Sequence, residues 1–122
     1  MNENAQKLVN ALESGEYKQG KLRLRNSNNQ FCCLGVACDI FHKETSEGKW
    51  ILTDQNIYYF CIDGEELSSG MPSKVCEYFG IKDSLGIYDS SYLSGLFNDN
   101  DTGKSFNEIA DIIRSEPVGL FV

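Results

Sequence analysis

Residues 31–41 read Phe31-Cys32-Cys33-Leu34-Gly35-Val36-Ala37-Cys38-Asp39-Ile40-Phe41, and the reading of this stretch decides the fold. It is apolar nearly all round, which predicts a helix buried at the centre of the core. Gly35 has no side chain, so the backbone of another element can come close there. Upstream, Ala5, Leu8, Val9 and Leu12 recur at i, i+3, i+4 and i+7 between Asn2 and Ser14, with Gly15 next. That is the pattern of an amphipathic helix followed by a glycine C′ residue. Between these helices Lys21-Leu22-Arg23-Leu24-Arg25 alternates with period two and runs into Asn26-Ser27-Asn28-Asn29. A strand and then a tight loop are expected.

Downstream, His42 to Lys49 is polar, and Trp50-Ile51-Leu52 and Ile57-Tyr58-Tyr59-Phe60-Cys61-Ile62 form two strand-like runs separated by Thr53-Asp54-Gln55-Asn56. Asp63-Gly64 supplies a turn. Met71-Pro72 with Val75, Tyr78 and Phe79, ending at Gly80, places proline near the start and glycine just past the end of a short helix. Tyr92 to Phe97 reads as a further helical turn. Ser105 with Glu108 is a capping box ahead of Ile109, Ala110, Ile112 and Ile113, so a last helix runs from Phe106 to about Ser115 and Pro117 stops it. Helices and short strands mix without βαβ alternation. The expected fold is therefore α+β, a single compact domain over residues 1–122 with about four helices packed on a small, mainly antiparallel sheet.

The chain has 122 residues, of which 41% are hydrophobic, enough to fill one core. Its 18 acidic and 11 basic side chains give a net charge of −7, which disfavours a long nucleic acid as partner because such binding needs neutralised phosphates. No run of 18 apolar residues exists to span a membrane. The five cysteines are an odd number, and MNENAQKLVN lacks a charged segment followed by an apolar run. Reducing cytoplasm is the expected compartment.

Cysteine chemistry is one candidate activity. Cys32 and Cys33 fall at a predicted helix N-terminus, where the helix dipole stabilises a thiolate. The Cys-x-x-Gly pattern resembles the helix opening of papain-like peptidoglycan hydrolases, in which the cysteine is the nucleophile. The sole histidine, His42, follows Cys32 by ten residues; on one helix that is roughly 15 Å, too far for a general base. Catalysis, if present, would rest on Cys32, and the other cysteines read as core packing. No C-x₂₋₄-C pair suggests zinc. Asn98-Asp99-Asn100-Asp101-Thr102-Gly103 aligns with the start of an EF-hand loop, but position twelve would be Ile109 where glutamate is needed; a polar turn between helices is expected instead. Thr102-Gly103-Lys104-Ser105 resembles only the end of a P-loop. No metal or cofactor is expected.

Charge is distributed unevenly. Between Tyr17 and Cys38 stand Lys18, Lys21, Arg23 and Arg25 and no acid, whereas Asp83 to Glu116 carries seven acids against Lys104 and Arg114. On an alternating strand Lys21, Arg23 and Arg25 share one face, leading into a helix N-terminus whose N–H groups at Cys32 and Cys33 can receive an anion. Tyr59, expected at the surface of its strand, could stack on a base. This set suits a small phosphate-bearing ligand. Alternatively, these cations neutralise the acidic half across the fold.

The segments Glu16-Tyr17-Lys18-Gln19-Gly20-Lys21, Leu24-Arg25, Phe31 to Asp39, Met71-Pro72, Asn98-Asp99 and Gly103 to Ile113 together resemble an uncharacterised family of small proteins from bacteriophages, prophages and bacteria. The resemblance covers about residues 5–114, with an Asn-Asp-Asn-Asp-Thr-Gly turn where a shorter Asn-Asp-x-Gly is usual. It implies a phage-like accessory protein acting in the host cytoplasm and carries no catalytic residue with it. The leading expectation is a binding protein that sequesters a nucleotide-like immune signal through Lys18, Lys21, Arg23, Arg25, Cys32, Cys33 and Tyr59. The alternatives are an acidic module that inhibits a host protein and a cysteine-dependent enzyme. A homodimer is among the expected states, since small domains commonly assemble with twofold symmetry.

Overall fold

A computed structural model describes residues 1–91 and 94–122. In chain order the elements are α1 (Glu3–Glu13), β1 (Lys18–Gln19), β2 (Gln30–Phe31), α2 (Cys33–Thr45), β3 (Lys49–Leu52), β4 (Tyr58–Ile62), β5 (Glu65–Leu67), α3 (Ser73–Phe79), β6 (Ile87–Asp89), β7 (Ser94–Gly95), α4 (Leu96–Asp101) and α5 (Phe106–Arg114). This is an α+β fold with five helices among the described residues, one more than expected. Its strands form three small sheets: a parallel β1–β2 pair, an antiparallel β3–β4–β5 sheet and an antiparallel β6–β7 pair.

The core is assembled around α2, in which every residue from Cys33 to Phe41 is buried. The helix runs on to Thr45, so that His42 stands on it. Helix α1 packs its buried Ala5, Leu8, Val9 and Leu12 against α2 and α5. Its N-terminus is closed by Asn2, whose side chain accepts from the Ala5 N–H at 2.7 Å, and α5 carries the complete Ser105–Glu108 capping box. Helix α3 starts after Pro72 and ends at Gly80, which takes the left-handed conformation that glycine adopts at little steric cost. In the three-stranded sheet Phe60 is fully buried, with Trp50 and Phe41 edge-on to its ring.

Two expectations fail for a common reason. Residues 21–24 form no strand: Leu22 has φ +70° and is 72% exposed, while Leu24 is 0% exposed, so the two leucines do not share a face. Residues 98–101 are not a polar turn but belong to α4, with Asp99 and Asn100 buried. The helical turn expected at Tyr92 to Phe97 falls partly on residues 92–93, outside the described residues, and the rest divides between β7 and the start of α4. In both corrected segments distant hydrogen bonds override the local pattern. The Leu22 N–H donates to Asp101 Oδ1 at 2.8 Å and the Leu24 N–H to the Ser68 carbonyl at 2.8 Å. The Tyr88 hydroxyl donates to Asp99 Oδ2 at 2.7 Å.

A second polar joint ties α2 to the sheet. Asp39 accepts from the Tyr17 hydroxyl at 2.6 Å, from Trp50 Nε1 at 3.0 Å and from Lys43 Nζ at 3.1 Å. Burial works to raise the Asp39 carboxyl, but these hydrogen bonds outweigh it and hold it below the ordinary value. Burial and the Asp39 hydrogen bond push the Tyr17 phenol up to about 12.

Candidate functional site

The segment between β1 and β2 is a pinned loop. The Gly20 carbonyl accepts from Asn100 Nδ2 at 2.8 Å, Leu22 is held by Asp101, the Leu22 carbonyl accepts from Ser69 Oγ at 3.4 Å, and Leu24 is held by Ser68. A bulky residue in the left-handed region is strained and persists only where its surroundings over-determine it. These four bonds do so, and the result is a rigid loop that exposes Lys21, Leu22 and Arg23. Lys18, on β1, is exposed as well.

Arg25 is separated from the other cations. Its guanidinium lies 4.2 Å from the ring centroid of Tyr58, 5.3 Å from Phe31 and 5.5 Å from Trp50, and its Nε and Nη2 donate to Asn29 Oδ1 at 3.0 and 2.8 Å. The three-cation strand face is therefore corrected to Lys21 and Arg23 at the loop tip, with Arg25 laid across an aromatic shelf. Arg25 stacks on Tyr58, and Tyr59, the residue expected to meet a base, points to the opposite face because successive side chains of a strand alternate. Tyr59 lies opposite Ile51 in the register, on the side away from Arg25.

The anion seat expected at Cys32 and Cys33 is filled by the protein itself. Asn100 Oδ1 accepts from the Cys33 N–H at 3.1 Å and from Gln19 Nε2 at 3.0 Å. This carboxamide, fully buried, occupies the position at the start of α2 where a ligand oxygen would sit. Nothing local in the sequence indicates this, since Asn100 lies 67 residues from Cys33.

The activated thiolate expected at Cys32 is also corrected. Cys32 is 4% exposed, and burial pushes its thiol up to about 11 despite the Leu34 and Gly35 N–H groups that favour the thiolate. Burial likewise raises Cys33 and Cys38 well above the ordinary thiol value and Cys76 to about 11. His42 stands in the last turns of α2, with its Nδ1 3.1 Å from the Glu47 carbonyl oxygen, far along the helix from Cys32. Cys61 is the one cysteine that is not buried. A short iodoacetamide pulse on the native protein near neutral pH should therefore label Cys61 first and reach Cys32 only on unfolding, as peptide mass mapping would read out. Rapid native labelling of Cys32 would restore the thiolate reading.

Two concavities stand out. A cleft of about 600 Å³ between α3 and the C-terminal segment is lined by Glu65, Met71, Cys76, Glu77, Ile81 and Lys82 among others, none of them in the expected site. A smaller hollow, about 280 Å³, is bordered by Leu22, Cys32, Ser69, Leu85, Phe97 and Asp101 and adjoins the basic loop. Among the described residues no group of three His, Cys, Asp or Glu is placed to hold a metal ion, and no helix is long and apolar enough to cross a membrane.

The family described as Domain of unknown function (DUF8296) matches residues 1–117. The chain belongs to that family. No curated protein and no solved structure matches it. The segments around Tyr17, Gln19 and Gly20, around Cys33 and Asp39, and at the Ser105–Glu108 box make the joints just described. In this DUF8296 protein those segments account for the architecture, and the exposed Lys21, Leu22 and Arg23 stand out as groups the architecture does not use.

Proposed function

We propose that this protein is a binding module for a small, phosphate-bearing, nucleotide-like ligand, held at the loop that carries Lys21 and Arg23. The observation that supports this is the lack of internal compensation. Ion pairs in the fold use Lys7, Lys43, Lys74, Arg114 and the N-terminus, whereas Lys18, Lys21, Arg23 and Arg25, like Lys49, Lys82 and Lys104 elsewhere on the surface, have no carboxylate within ion-pair distance among the described residues; only the first four fall together, in the segment 18–25. In a protein of net charge −7, cations left free on a rigid loop favour an anion, and one compact enough to avoid the acidic remainder. Pre-organisation adds to this, because a loop already held by four hydrogen bonds loses little freedom on binding.

The wider setting is a phage-type accessory protein that captures a signalling nucleotide of host immunity in the host cytoplasm. Binding without turnover agrees with the burial of Cys32 and the absence of a nearby histidine. Calorimetry with cyclic dinucleotides and cyclised ADP-ribose is the test. A saturable heat that weakens at least tenfold in the Lys21→Ala/Arg23→Ala double variant is expected. No heat with any of them, or full affinity in the double variant, overturns the reading.

A further inference from the structure

The hollow beside the loop has a composition that says which part of a ligand it would take. Its volume, about 280 Å³, falls just below the range of whole-ligand pockets, roughly 300–1,000 Å³, so it accepts a flat ring rather than a whole nucleotide. Leu22, Leu85, Phe97 and Cys32 supply apolar wall, with Cys32 buried at the floor and Leu22 exposed at the rim. The polar groups are the Ser69 hydroxyl and the Asp101 carboxylate. Asp101 Oδ1 already accepts the Leu22 N–H; Oδ2 has no hydrogen-bond partner among the described residues. An ionised carboxylate only accepts, so the edge of the ring that meets it must donate.

We infer, building on the proposed function, that this hollow seats the base of the ligand and that Asp101 makes it selective for guanine. Guanine presents two adjacent donors, N1–H and the 2-amino group, on one edge. Adenine and cytosine each place a ring acceptor beside their amino group, and that acceptor would face the carboxylate. Uracil offers a single N–H between two carbonyls. With the base in the hollow, the phosphate lies outside it, toward the exposed Lys21 and Arg23 that flank Leu22 in the chain. The negative phosphate is thereby kept a base-length from Asp101.

Binding of GMP, AMP, CMP and UMP to the folded protein, measured by calorimetry at fixed ionic strength, tests this because the four carry the same charge. GMP should bind at least tenfold more tightly than the others, the scale of a hydrogen bond to a charged group. Asp101→Asn keeps an acceptor for the Leu22 N–H but exchanges the free oxygen for a donor, which meets the ring acceptor of adenine; it should remove the GMP preference and strengthen AMP binding. If that variant unfolds, Ser69→Trp, which fills the hollow from its exposed rim, should abolish the preference instead. Four nucleotides bound equally, and weakened together by Lys21→Ala/Arg23→Ala, would overturn the guanine inference and leave the anion reading standing. A GMP preference untouched by that double variant would do the reverse. No binding by any of the four overturns the guanine inference, and the anion reading then stands or falls with the cyclic dinucleotides and cyclised ADP-ribose.

Discussion

Replacing Asn100 by alanine should lower the unfolding free energy by about 4 kcal/mol, a large fraction of the roughly 5–15 kcal/mol that holds a domain together. Asn100 is fully buried and joins three parts of the chain: its Oδ1 accepts from the Cys33 N–H and from Gln19 Nε2, and its Nδ2 donates to the Gly20 carbonyl. Truncation leaves the Cys33 N–H and the Gly20 C=O inside the protein without partners, and each such group costs roughly 1–3 kcal/mol. Gln19 is less affected because its Nε2 also donates to the Lys104 carbonyl at 2.8 Å and its Oε1 accepts from the Phe106 N–H. Urea unfolding followed by circular dichroism should show a lower midpoint with an unchanged slope. Asn100→Asp should be nearly as damaging near neutral pH, since it keeps the acceptor but turns the donor to Gly20 into a second oxygen facing an oxygen. A loss below about 1 kcal/mol for Asn100→Ala would mean that water replaces the carboxamide, and the start of α2 would again be open to a ligand.

Asn100 also marks the boundary between what the sequence made legible and what it did not. Helix ends were readable because their signals are local: Gly15 after α1, the Ser105–Glu108 box before α5 and Gly80 after α3 all act within one turn. The burial of α2 was readable because its apolar character continues round the helix. Residues 21–25 misled because alternation is only a local preference, and Asp101, Ser68 and Ser69, all far along the chain, hold the backbone elsewhere. Residues 98–101 misled in the same way: a run of Asn and Asp favours turns, yet Asp99 and Asn100 find partners in Tyr88, Gly20 and Cys33 that make helix the better state. For the site, residue types identified the free cations but not their arrangement. That Arg25 would turn onto Tyr58, and that Leu22 would stand out between Lys21 and Arg23, depends on contacts between separate segments.

Gly35→Ala links the two levels and should cost about 3 kcal/mol, seen as a fall of roughly 10–15 °C in Tm for a domain of this size. A methyl group at this position would lie 1.7 Å from the Leu24 carbonyl oxygen and 2.5 Å from its carbonyl carbon. Both are backbone atoms, so no side-chain rotation relieves the overlap, and the cost falls at the upper end of the range for overpacked cores. Gly15→Ala is the control. Gly15 has φ +78° and nothing within 4 Å of a built methyl group, so that substitution meets only the left-handed penalty of about 1 kcal/mol. The consequence for function follows from what rests on Gly35. Leu24 belongs to the same pinned loop as Lys21, Leu22 and Arg23, and moving its carbonyl away from α2 strains the bond from its N–H to Ser68 and shifts the loop over the hollow. The folded fraction of Gly35→Ala, assayed at low temperature, should therefore bind nucleotide at least tenfold more weakly although every group proposed to touch the ligand is still present. Gly15→Ala should bind as the parent does. Equal affinity in Gly35→Ala and the parent would show that the loop does not need its seat on α2, and the claim that rigidity of this loop underlies binding would have to be abandoned.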